Sequence, residues 1–133
     1  MKRILFLLFW IAGILFPAAW FVRFSARGEA IFNTLFGPAW VHVAMHSFLY
    51  GVLAAVLLTS LFPRANLRPS WQGVARILGL ILAVALLQEG IQLLSQQRAP
   101  GGDELFDLGV DLAGAGLGMV LVRRFLARAQ EPG

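Results

Sequence analysis

The chain has 133 residues, about one domain's worth; 59% are apolar and 14% charged, against about 45–50% and about 25% in soluble domains. A chain this short has too little interior to bury that excess in water. With no cysteine and a net charge of +4, these figures exclude a soluble globular enzyme, a disordered tail, a disulfide scaffold and a zinc–thiolate site, and they point to lipid as the solvent.

Four stretches are long enough to cross a bilayer, which takes about 20 helical residues, range about 17–25. The first, Ile4–Val22, carries no charge. It follows Met1-Lys2-Arg3 and ends in Trp20-Phe21-Val22 without a small-residue cleavage site, so the expectation is a retained helix rather than a signal peptide. The loop Phe24–Pro38 mixes Ile31, Phe32, Leu35 and Phe36 with Arg27, Glu29 and Asn33, which suits a short helix lying in the outer interface. The second span, Ala39–Phe62, holds His42, His46 and Tyr50 as its ionisable groups. Leu61–Ser70, with Pro63 and Pro69, reads as a turn. The third span, Val74–Leu94, carries Arg76 near its start and Glu89 near its end. Pro100-Gly101-Gly102 then reverses the chain into the fourth span, Leu105–Val122, which carries Asp107 and Asp111.

Hydrocarbon offers backbone groups no partner, so all four spans are expected to be helical. The predicted fold is an all-α, four-transmembrane-helix bundle forming a single integral membrane domain. Eight of the eleven lysines and arginines fall on the side of the N-terminus, the second loop and the C-terminal tail. That asymmetry predicts that both termini are cytoplasmic. The basic residues form no continuous face, so no nucleic-acid surface is expected. A P-loop, a dinucleotide fingerprint, H-E-x-x-H and G-x-S-x-G are all absent from the sequence.

Polar groups inside a membrane are costly and mark function by default. The predicted topology brings them to one depth. His42 and His46 enter with the second span, Glu89, Gln92 and Gln96 close the third, and Asp107 and Asp111 open the fourth, each within roughly 10–12 Å of the outer surface at about 1.5 Å per residue. His42, His46 and Tyr50 share one stripe, as do Glu89, Gln92 and Gln96. Asp107, Asp111, Gly114 and Gly118 form a third stripe, whose glycines let a neighbouring helix approach closely. A small polar pocket opening outward is the simplest arrangement. Two ionised aspartates at i, i+4 repel one another. Arg98, a protonated His46, a protonated carboxyl or a bound cation would relieve them. His46, Glu89, Asp107 and Asp111 are suitable ligand types for a divalent metal, yet no metal motif is present, and no metal or cofactor is assigned.

Each of these residues also has a plainer reading. Asp103 and Glu104 suit the first turn of a helix, His42 would be solvated at the interface, Asp111 and His46 would hydrogen-bond between helices, and the tryptophans Trp10, Trp20, Trp40 and Trp71 would include interface anchors.

Three pieces together resemble the VanZ-like family of small multi-spanning bacterial membrane proteins. His46-Ser47-Phe48-Leu49-Tyr50 is similar to that family's His-x-x-x-Tyr, and Glu89-Gly90-Ile91-Gln92 to its Glu-x-x-Gln. Arg98 followed by Asp107-x-x-x-Asp111-x-x-Gly114-x-x-x-Gly118 resembles its Arg and Asp-x-x-x-Asn/Asp-x-x-Gly-x-x-x-Gly. The match covers about residues 38–122; His42-Val43 stands where members often carry Asp-Lys, and Asp111 where Asn is common. The resemblance implies a multi-pass protein of the bacterial cytoplasmic membrane with a role at its outer face.

The leading expectation is a pocket of His46, Tyr50, Glu89, Gln92, Arg98, Asp107 and Asp111 that recognises a lipid head group or a lipid-linked cell-envelope precursor, with Gly114 and Gly118 as helix-packing residues. A membrane-embedded enzyme acting on a lipid-linked substrate and a structural or assembly subunit are the alternatives. A transporter fits less well, because the inner halves of the spans are almost purely apolar.

Overall fold

A computed structural model describes residues 2–16, 25–62, 69–97 and 99–128, and these are all-helical: α1 (Lys2–Leu15), α2 (Ala26–Phe36), α3 (Ala39–Leu61), α4 (Trp71–Gln96) and α5 (Gly102–Arg128). Three of these, α3, α4 and α5, are long and apolar enough to cross a membrane. The expected first span, Ile4–Val22, is helical through Leu15, and residues 17–22 lie outside the described residues. The segment read as a short interfacial helix is helical as α2.

α3 matches its expected span to within one residue, whereas α4 and α5 exceed theirs by two to six residues at each end, because local chemistry rather than hydropathy stops the helices. α3 ends at Leu61, and Phe62 caps it with an extended backbone (φ −122°, ψ 139°), as the following Pro63 favours. Ser70 caps α4, its hydroxyl accepting from the Gly73 N–H at 3.3 Å. α4 closes at Gln97 in the left-handed region (φ 54°). At the start of α5 the Glu104 carboxylate accepts from the Gly101 N–H at 2.6 Å, one half of a capping box. Asp103 and Glu104 stand in the first turn and Arg128 in the last, matching the helix dipole at both ends.

α3 is the centre of the bundle, and its most extensive contact is with α5. The two run parallel, since His42 and His46 face Asp107 and Asp111, and Ser47 and Gly51 face Gly114 and Gly118. α4 runs back between them in sequence and packs antiparallel to α3, with Phe62 against Gly73 at one end and Tyr50 against Gln88 near the other. α1 is also antiparallel to α3. The Trp10 indole N–H donates to the Leu49 carbonyl at 3.0 Å, and the Arg3 guanidinium to that of Thr59 at 3.3 Å. Trp10 also stacks on Phe6 and meets Phe48 edge-on.

The core is a narrow seam. Leu53, Ala54, Leu57 and Leu58 of α3 meet Ile77, Ile81 and Ala85 of α4 and Ala115 and Met119 of α5, while Ile14 closes it from α1. Leu86, Leu87, Leu94, Leu105, Leu117 and Phe125 point outward and are more than half exposed, as a lipid-facing surface requires.

The α3–α5 seam is held by small residues. A Cβ added at Gly114 would lie 2.5 Å from the Ser47 Cα, and one at Gly118 would overlap the Gly51 carbonyl. Ser47-x-x-x-Gly51 and Gly114-x-x-x-Gly118 thus form matched small-residue faces that let two backbones touch. Gly114→Ala and Gly118→Ala are expected to destabilise the bundle by about 1–3 kcal/mol, read as thermal unfolding in detergent. Gly116→Ala is the control, because its Cβ would meet nothing within 4 Å. It should be neutral or stabilising by up to about 1 kcal/mol. Equal losses in all three would remove the seam from the account.

Candidate functional site

The helix directions place the start of α3, the end of α4 and the start of α5 at one end of the bundle. This polar end gathers Glu89, Asp103, Glu104, Asp107 and Asp111. Lys2 and Arg3 of α1, Arg76 of α4, and Arg123, Arg124 and Arg128 of α5 belong to the other end. Among the described residues of α1, α3, α4 and α5, charge is therefore segregated along the bundle axis.

At the polar end the parallel α3–α5 seam becomes a ladder of paired side chains. The His42 Nε2 lies 3.0 Å from the Asp107 Oδ2, and one turn deeper the His46 Nδ1 lies 2.8 Å from the Asp111 Oδ1. Both pairs join residues 65 apart in sequence. The spacing is the same because two parallel helices keep their register over one turn. The outer pair is half open, the His42 side chain being 43% exposed, whereas the His46–Asp111 pair is buried. The two imidazoles lie against each other, ring centres 4.3 Å apart, and the Tyr50 ring stacks one step further along α3 at 6.4 Å from His46. The Tyr50 hydroxyl donates to the Gln88 Oε1 at 2.7 Å, tying α4 into the ladder.

Glu89 is buried beside this network, next along α4 to the Gln88 that meets Tyr50. Its Oε1, like the Asp111 Oδ2, is buried without a hydrogen-bond partner among the described residues. A buried polar atom left unpaired costs about 1–3 kcal/mol, and more when charged, so these two oxygens are the least satisfied points of the network.

Of the residues singled out from the sequence, His46, Tyr50, Asp107 and Asp111 lie in the ladder and Glu89 beside it. Gly114 and Gly118 lie on the seam directly beneath. Gln92 is half-buried on α4, its backbone carbonyl accepting from the Ser95 hydroxyl. Arg98 lies outside the described residues. Two members of the network were missed. His42 was expected to be solvated, but it pairs with Asp107. The signal was present, since His42 and Asp107 each stand one turn before His46 and Asp111. Gln88, rather than Gln92, meets Tyr50, and it continues the buried α4 stripe of Ile77, Ile81 and Ala85.

Chemically, each carboxylate can hold an imidazole in one tautomer, so the ladder can accept hydrogen bonds, pass protons or ligate a cation. Neither imidazole hydrogen-bonds to a hydroxyl among the described residues; the partner of each is a carboxylate.

No family model, no curated protein and no solved structure matches this chain.

Two outcomes test the ladder. In a double-mutant cycle, His46→Ala and Asp111→Ala are expected to show about 0.5–3 kcal/mol of coupling; simple additivity would mean that the pair does not form. Tyr50→Phe leaves the Gln88 Oε1 buried and unpaired, and is expected to cost about 1–3 kcal/mol.

Proposed function

We propose that this chain is a VanZ-like, multi-pass protein of the bacterial cytoplasmic membrane. It has both termini in the cytoplasm and uses its polar end, at the outer leaflet, to bind the head group of a membrane lipid or lipid-linked envelope precursor. The orientation follows from the segregation of charge: the end rich in lysine and arginine belongs in the cytoplasm. The observation that carries the binding reading is Glu89, a carboxylic side chain only 5% exposed with an oxygen unpartnered among the described residues, set beside two histidine–aspartate pairs. Glu89, Asp107 and Asp111 make the site rich in acceptors, which suits a head group rich in hydroxyl or ammonium donors.

An apolar groove of about 480 Å³ runs from Ser47, next to His46, along the seam past Gly51, Gly114, Gly118 and Leu121. It suits the acyl chain of the same lipid, because the glycines that allow the helices to touch also leave a furrow without side chains. Binding is preferred over catalysis because the imidazole–carboxylate pairs, though apt as general bases, have no hydroxyl bonded to them among the described residues.

Two measurements check this reading. Native mass spectrometry of gently purified protein is expected to show a lipid on wild type that is reduced in Glu89→Gln and Asp107→Asn. Equal retention by folded variants would remove the site assignment. The chain has no cysteine, so single substitutions report topology cleanly. Gly101→Cys is expected to react with a membrane-impermeant maleimide in intact cells, and Arg124→Cys only after permeabilisation. The reverse pattern would overturn the orientation.

A further inference from the structure

The outer rung of the ladder has the makings of a metal site. His42, His46 and Asp107 each offer one ligand atom, and these atoms all lie within 4.8 Å of one another. Ligands on one ion at about 2.0–2.2 Å sit up to roughly 4.4 Å apart, so a shift of side-chain torsions brings the set onto a single ion. We propose that His42, His46 and Asp107 bind a divalent first-row transition-metal ion, with Asp111 as the positioning residue behind His46. This inference goes beyond the lipid-binding reading and does not depend on it.

Four observations support it. First, two histidines at i, i+4 on one helix face and a carboxylate from a second helix make a two-histidine, one-carboxylate set, which leaves further coordination positions open. Imidazole in the set favours zinc, copper, iron or nickel over magnesium, calcium or manganese. Second, the His46 Nδ1 is already held by the Asp111 Oδ1 at 2.8 Å. If Nδ1 donates to that carboxylate, Nε2 is left with its lone pair, which is how a second carboxylate orients a metal-bound histidine. Third, Asp111 is fully buried with its Oδ2 unpartnered among the described residues, and Glu89, 5% exposed, has a buried Oε1 likewise unpartnered. The carboxyl groups of Asp107 and Asp111 stand one turn apart on α5, each against an imidazole of α3, and a divalent cation offsets their charge. Fourth, His42 is 43% exposed while His46 is buried, so the set has an entry side and a closed side.

Metal binding by this set exchanges the His42–Asp107 hydrogen bond for two bonds to the ion. The neutral His42 imidazole keeps its one proton, carried on the ring nitrogen that does not ligate, and no oxidation or reduction is involved.

The test uses the full chain in detergent, without a histidine tag, stripped of metal with a chelator and delipidated. Zn²⁺ is added and the bound ion counted by elemental analysis after gel filtration; Co²⁺ is added in parallel and its visible ligand-field absorption recorded. The expected result is one ion per chain and a Co²⁺ spectrum of mixed nitrogen and oxygen ligation. His42→Ala and Asp107→Ala should abolish both, and Asp111→Asn should weaken binding about 10–100-fold. His42 lies at the half-exposed rim, so its variant is the one most certain to keep its helicity. Should both ligand variants unfold, the wild-type spectrum and stoichiometry decide alone. Failure of wild type to take up either ion, a spectrum without nitrogen ligands, or uptake unchanged in a folded His42→Ala protein overturns the proposal. Wild-type protein that takes up the ion but carries no lipid when gently purified would count against the lipid reading only, and wild type that carries the lipid but takes up no ion against the metal site only.

Discussion

The direct contact of two parallel helix backbones is the constraint on which the rest of this structure depends. Gly114 and Gly118 have no side chain to hold α3 away, and Ser47 and Gly51 present an equally bare face in return. Once the two helices touch there, their register is fixed, and the same register sets His42 opposite Asp107 and His46 opposite Asp111. The packing seam and the polar ladder are consecutive stretches of one interface. A change in the glycine contact would move the histidines away from their carboxylates even though no polar residue had been touched.

Lipid as solvent explains why the interior is so slight. In water, a bundle with so many exposed leucines and phenylalanines would collapse or aggregate. In hydrocarbon those faces lose nothing by remaining outside, and helices associate through close packing and interhelical hydrogen bonds instead. The molecule shows both devices in one place. α3, the helix with the most partners, holds α5 through the seam and the ladder, α4 through the Tyr50–Gln88 bond, and α1 through the indole of Trp10.

Helical content and the membrane-spanning character of α3, α4 and α5 were legible in the sequence because length and apolarity decide them directly. Helix ends were not, because Ser70, Glu104 and the left-handed Gln97 act through single hydrogen bonds and torsions that a hydropathy window averages away. The stripes bearing Asp107, Asp111, Gly114 and Gly118 could be read from spacing, since one face of a helix is set by its period. Which residue meets which could not, because it depends on the offset between two helices. That offset is why His42 passed as a solvated residue, why Gln92 was favoured over Gln88, and why Ser47 and Gly51, the receiving half of the seam, were not singled out.

The stacked rings have a consequence of a different kind. Tyr50 is the chain's single tyrosine, and it sits at the buried foot of a column of aromatic rings whose head, His42, meets the surroundings. Its ring is therefore a built-in label at a known address. Any phenolic resonance or vibrational band belongs to one atom group, without an introduced probe. An event at the rim that turns an imidazole would be read four and eight residues away as a change in a single, already assigned signal.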